Sequence, residues 1–179
     1  MAAGWRSAQG DWDMDAGILF ARVVFGLLMA AHGTQKLFGW FGGYGLAGTA
    51  GFFEALGFRP GRFFAATASG TELVAGLLVA AGLLGPIGPA LFVTVMIVAA
   101  VTVHWQHGLF AQNNGIEMPL LYGVAGVTLA LTGPGAYSLD AALGLTNLSA
   151  PLAAWAALAV GALGGVANLA IRRPVAATA

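Results

Sequence analysis

Four side chains in this sequence could do chemistry together: His32 and Lys36 in HGTQKLFGWFGG (residues 32–43), Glu72 in SGTELVAG, and His104 in HWQH. An imidazole, an ammonium and a carboxylate supply donors, acceptors and exchangeable protons. His32 and Lys36 are four residues apart, which puts them on one face of a helix. Arg22 lies ten residues before His32 in an otherwise apolar run, and is expected to pair with Glu72. Such a pair serves either as a buried link that sets helix register or as part of a proton or ligand site; both readings stand at this point. The alternative for the whole set is that each group is satisfied separately by backbone carbonyls, water or headgroups, with Lys36 snorkelling to the interface.

These groups need a reason because the chain has so few of them. Of 179 residues, 59% are hydrophobic and 8% charged, with a mean hydropathy of +0.83. Soluble domains carry about 25% charged residues. Seven acids and seven bases cannot cover a water-facing surface of this size, whereas a chain dissolved in lipid needs no such cover. The formal net charge of zero gives no electrostatic case for nucleic acid. With no cysteine, disulfides, thiol nucleophiles and iron–sulfur ligation are excluded.

A helix crossing about 30 Å of hydrocarbon needs roughly 20 apolar residues. That length predicts five spans: residues 16–37, 63–84, 87–107, a short one at 115–132, and 151–171. The expected architecture is all-α, an integral membrane bundle with a tail at 1–15 and another at 172–179. GPIGP at 85–89 is a tight turn. Ser149 is expected to cap the fifth helix, with Pro151 in its first turn. Glu117 fits the first turn of span four. The N-terminal stretch has one base, Arg6, against Asp11, Asp13 and Asp15, and does not read as a cleavable signal.

Five spans place Trp40 and Trp105 at one interface and Trp12 and Trp155 at the other, which forms two aromatic belts. The first of these faces also carries Lys36, Arg59, Arg62, Arg172 and Arg173; the other carries Arg6. The positive-inside rule then puts the N-terminus outside and the C-terminus in the cytoplasm. His32 lies about 8 Å inside the end of span one and His104 about 5 Å inside the end of span three. Both ends share a side, so His32, Lys36, Glu72 and His104 are expected to converge on one cavity. Between spans one and two, Leu46, Phe52, Phe53 and Leu56 share a face of a short helix. That segment is either a lid over the cavity or a helix lying in the headgroups. His104 and His107 have a spacing that suits a metal, and a haem between His32 and a span-three histidine is geometrically conceivable. No third ligand accompanies them on that helix, so no metal is assigned.

LFARVVFGLLMAAHGTQKLFG, TELVAGLLVAAGLL, the HW closing span three and LTGPGAYSLD, taken in this order, resemble the DoxX family of bacterial membrane proteins. The resemblance covers about residues 17–140. It implies a four-helix membrane core in the bacterial cytoplasmic membrane, with Arg22, His32, Lys36, Glu72 and His104 at the family's polar positions. The fifth helix and the Arg172–Arg173 pair depart from that pattern. Some members are associated with thiosulfate:quinone oxidoreductase, others with redox complexes that have soluble partners. A quinone suits a lipid-accessible cavity edged with hydrogen-bond donors. The sequence has no flavin or nicotinamide fingerprint, so electrons would have to come from another subunit.

The leading expectation is therefore a membrane subunit of a quinone-linked redox system, with the chain's own status as an enzyme left open. The alternatives are a non-catalytic anchor or assembly factor for a redox or stress-defence complex, and a small-molecule transporter. Expected partners are the lipid bilayer and a soluble or membrane redox subunit, with self-association also open.

Overall fold

The computed structural model describes residues 2–173, with side chains from Met14 onward. The chain is all-helical among these residues: α1 (Ala2–Phe38), α2 (Gly45–Ala55), α3 (Gly61–Ala81), α4 (Ile87–Ala99), α5 (Glu117–Thr132), α6 (Leu139–Ala142) and α7 (Pro151–Ala170). Four stretches are long and apolar enough to cross a membrane: Met14–Phe38, Gly61–Ala81, Ile87–His107 and Pro151–Ala170. The third is α4 continued by a π-helical segment, Ala100–His104, and a 3-10 turn, Trp105–His107. With 16 residues, α5 is shorter, yet its ends lie on opposite faces. At its start, Ile116 and Glu117 donate backbone N–H groups to Gly108 and Leu109, just past the end of α4. Beyond its end, the Ala136 N–H reaches Asp15 on α1, 3.0 Å away.

Small residues let the helices approach one another. A Cβ on Gly26 would stand 2.6 Å from the Gly76 carbonyl and the Ala80 nitrogen, and one on Gly33 would stand 2.6 Å from the Ser69 carbonyl and the Leu73 nitrogen. With no side chain at these points, the backbones of α1 and α3 touch directly, as in close-packed membrane helices. The same device joins α4 to α7, where a Cβ on Gly161 would stand 2.5 Å from the Ala90 carbonyl. Met29, Ala75, Val79, Phe92, Tyr122 and Leu129 fill the centre between α1, α3, α4 and α5. Large apolar residues elsewhere face outward: Leu152, Val160 and Leu163 on α7 are exposed, the surface a lipid-embedded helix presents.

These four stretches and the shorter α5 lie within a few residues of the limits expected for the five spans. Several local expectations need correction. The segment 1–15 precedes the first apolar stretch, which begins at Met14, but from Ala2 it is helical and continuous with α1. Ser149 does not cap α7. Ala150 is the N-cap and Pro151 opens the helix, whereas Ser149 ends a 3-10 turn, Thr146–Ser149, with its hydroxyl buried and unpartnered. The capping hydroxyl belongs instead to Ser138, which accepts the Ala141 N–H at the start of α6. Arg172 and Arg173 do not form a free tail; the Arg172 Nε donates to the Leu56 carbonyl and the Arg173 N–H to that of Gly57. Trp40, Trp105 and Trp155 are all exposed at helix ends. The side chains of Arg6, Asp11, Trp12 and Asp13, and residues 174–179 entirely, lie outside the described residues.

Two outcomes are expected. A fluorescent reporter fused after Arg173 should fluoresce and an alkaline phosphatase fused there should be inactive; the reverse pattern overturns the orientation. Gly76→Leu should lower the melting temperature in detergent sharply. Overpacking a core costs about 1–3 kcal/mol, and here the new side chain meets the α1 backbone at Gly26 and Ala30, which cannot step aside without separating the helices.

Candidate functional site

The register of α1 on α3 decides which polar groups meet. Gly26 faces Gly76 and Ala80, and Gly33 faces Ser69 and Leu73. The antiparallel alignment therefore puts Glu72 level with the turn that holds His32 and Lys36. It puts Arg22 level with Gly82, ten residues beyond Glu72 along α3. The Lys36 Nζ forms an ion pair and hydrogen bond with Glu72 Oε1. The expected Arg22–Glu72 pair does not form, because about 15 Å of helix separates their levels.

Glu72 is almost completely buried. Its side chain is 3% exposed, against 33% for Lys36, so the pair runs from the bundle interior to its edge. Its second carboxylate oxygen, Oε2, is buried with no hydrogen-bond partner. His32 lies within electrostatic range of both members of this pair. Its ring meets Tyr122 of α5 edge-on at 6.0 Å, and it is itself exposed on the bundle surface.

Lys36 and Glu72 form part of the wall of a cavity of about 560 Å³. Its remaining walls come from α3, α4 and α7, and α2 roofs it with Phe52, Phe53 and Leu56. Leu46, expected on the same face of α2, is not in the wall. The roof is fastened at three places. Thr49 donates to the Lys36 carbonyl at 3.1 Å, Glu54 Oε1 accepts the Gly61 N–H at 3.1 Å, and Arg172 and Arg173 hold Leu56 and Gly57. The π-helical segment falls at the cavity, contributing Thr102 and Val103. Such widened turns recur at functional sites, where they reshape a helix wall locally. Most of the lining is apolar, with hydroxyl and amide groups from Thr67, Thr71, Thr94, Thr102 and Asn168.

Of the four expected site residues, the structure joins Lys36 and Glu72 in the cavity wall. It places His32 beside them but outside the lining, and His104 elsewhere. The His104 Nδ1–H donates to the Asn114 carbonyl at 2.7 Å, and the His107 Nδ1–H donates to that of Val103 at 3.0 Å. His104 thus secures the connection that leads to α5, whereas His107 caps the end of its own helical stretch. Glu117 does likewise, accepting the Ala111 N–H at 2.8 Å.

Arg22 belongs to a second buried cluster at the opposite face. Its Nη2 donates to the Tyr137 carbonyl at 2.5 Å, while Nε and Nη1 have no hydrogen-bond partner. Asp140, fully buried, supplies the opposing charge. It also accepts the Leu84 and Gly85 N–H groups at 2.9 and 2.6 Å, bracing the turn between α3 and α4. This cluster ties α1 to the α3–α4 turn and to the stretch between α5 and α7, and lies far from the cavity. Asp140 and Asn168 are the polar residues that sequence reasoning passed over. Their signal was a lone acid in an interhelical stretch and a lone amide in an apolar helix.

The fold and this site define a multi-pass helical membrane protein with a buried ion pair at the edge of an apolar cavity. A family model described as DoxX matches residues 17–105, and the chain belongs to that family. The matched stretch contains Arg22, His32, Lys36, Glu72 and His104, and ends before α5. Searches among curated proteins and among solved structures found no match.

A double-mutant cycle should separate the two buried clusters. Lys36→Met and Glu72→Gln are expected to couple by about 0.5–3 kcal/mol in detergent unfolding. Arg22→Met and Glu72→Gln should add within about 0.5 kcal/mol, as distant sites do. Coupling between Arg22 and Glu72 as strong as that between Lys36 and Glu72 would contradict the α1–α3 register.

Proposed function

We propose that this protein is the membrane subunit of a quinone-linked redox system in the bacterial cytoplasmic membrane, and that the cavity beneath α2 receives the quinone head group. The observation that carries this reading is Glu72: buried in the wall of an apolar cavity, bonded through Oε1 to Lys36, and unpartnered at Oε2. A buried acceptor left without a donor costs about 1–3 kcal/mol. A ligand that brings a hydroxyl, or a proton, to that oxygen removes the cost.

The chain's own groups suit such a head group. Lys36 has three N–H donors, one of them on Glu72, so the others can serve a carbonyl oxygen. Glu72 Oε2 accepts from a hydroxyl, and the carboxylate can hold a proton between the cavity and Lys36. The partly exposed Lys36 links this buried acid to the edge of the bundle. Apolar walls from Phe52, Phe53, Phe64 and Val98 match a ring and its hydrocarbon tail. A bound quinone supplies the two-electron, two-proton couple between quinone and quinol, with the electrons arriving from a partner redox subunit.

Thermal-shift measurements on the purified protein with short-chain benzoquinone and naphthoquinone analogues test the reading. A concentration-dependent rise in melting temperature is expected for the wild type, with most of it lost in Lys36→Met and Glu72→Gln. No shift with any analogue removes the quinone from this site.

A further inference from the structure

We propose that α7 is part of the ligand site, and that Asn168 makes the second hydrogen bond to the head group held by Lys36 and Glu72. The inference rests on the quinone reading above and adds to it a contact from outside the stretch that matches the family.

The position of α7 is set by its contact with α4. Gly161 lies against Ala90, and Gly165 lies against Thr94 and Ile97. The Thr94 hydroxyl bonds to the Gly161 carbonyl at 2.8 Å, across the same seam. The two helices therefore run parallel, and Asn168 comes about one turn after the level of Thr94. On the other side, Gly88 of α4 meets Ala75, Leu78 and Val79 of α3. Following that antiparallel contact puts Thr94 level with Thr71 and Glu72. Asn168 thus lines the wall contributed by α7, about one turn, or ~5 Å, nearer the α2 roof than Glu72.

Asn168 is the polar residue of an otherwise apolar helix. An amide inside the hydrocarbon region is costly unless something uses it. Its Nδ2 donates to the Gly164 carbonyl at 2.9 Å, which pins the amide to α7 and leaves a second N–H for the cavity. The arrangement offers donors on two walls, Lys36 on one and Asn168 on another. A ring with carbonyl oxygens at opposite edges can use both, and a ring with one carbonyl can use only one. The far end of α7 is also fastened to the roof through Arg172 and Arg173, so the amide is held in register with α2.

The experiment compares binding of a short-chain benzoquinone and a matching ring with a single carbonyl, using tryptophan fluorescence quenching in detergent. The proteins are full-length wild type, Asn168→Leu, and Leu163→Ala on the exposed side of α7. The wild type is expected to prefer the two-carbonyl ring. Asn168→Leu should lower its affinity about tenfold and bring the two ligands level, while binding of the one-carbonyl ring and the melting temperature change little. Leu163→Ala should behave as the wild type. Full preference retained in Asn168→Leu overturns this inference and leaves the quinone reading intact. An equal loss for both ligands also overturns it, since that is the effect of a disturbed wall. No binding by the wild type overturns the quinone reading and this inference with it. Placement of Asn168 in the cavity is checked without any ligand. The chain has no cysteine, so Asn168→Cys gives a single thiol. Its alkylation by a membrane-permeant maleimide should slow when Ala68→Trp fills the cavity; an unchanged rate means that α7 does not face it.

Discussion

The backbone contact between α1 and α3 is the constraint on which the rest depends. Gly26 and Gly76 leave no room for a side chain between the two helices, so neither can slide by a residue without driving a Cβ into the other's backbone. That fixed alignment brings Lys36 to Glu72 and carries Arg22 away from it. In lipid, helix association gains little from the hydrophobic effect and relies on packing and on polar contacts. Here the packing comes first and the polar contact follows from it. Replacing Lys36 would cost the ion pair, but the helices would remain aligned.

The two buried clusters divide the labour between the faces of the bundle. At one face, Asp140 and Arg22 are enclosed among connections and meet backbone groups, the use of charge that holds turns in place. At the other, Glu72 stands in the wall of an aromatic-roofed space, with one buried carboxylate oxygen unpartnered. Both clusters contain an acid and a base from distant parts of the chain. What distinguishes the two is the open volume beside the charge: about 560 Å³ next to Glu72, and about 10 Å³ next to Arg22.

Span positions were legible in the sequence because length and apolarity determine them almost alone. The short α5 was legible for the same reason, but the turn expected at 85–89 ends at Pro86, and Pro89 lies in the first turn of α4, where a missing N–H costs nothing. Pairing was not, because depth along a span does not specify which residues share a face or how two helices are aligned. Arg22 and Glu72 looked close in depth only while the α1–α3 alignment was unknown. His104 looked like a cavity residue because it ends the right helix at the right face. The π-helical segment that ends at it and the Asn114 carbonyl take its ring elsewhere. Asn168 was overlooked because attention to ionisable groups passes over an amide, although in hydrocarbon an amide also demands partners.

The attachment of Arg172 and Arg173 to Leu56 and Gly57 has a consequence for the order of assembly. These contacts join segments more than a hundred positions apart, 116 in the case of Arg172 and Leu56. Chains enter the membrane from the N-terminus onward. The roof helix is therefore made early, and the helix that fastens it arrives after the other spans described here have been made. Until α7 docks, one wall of the chamber is lipid. Until then the space beneath α2 is open to acyl chains on that side, and it becomes an enclosed chamber only when α7 docks.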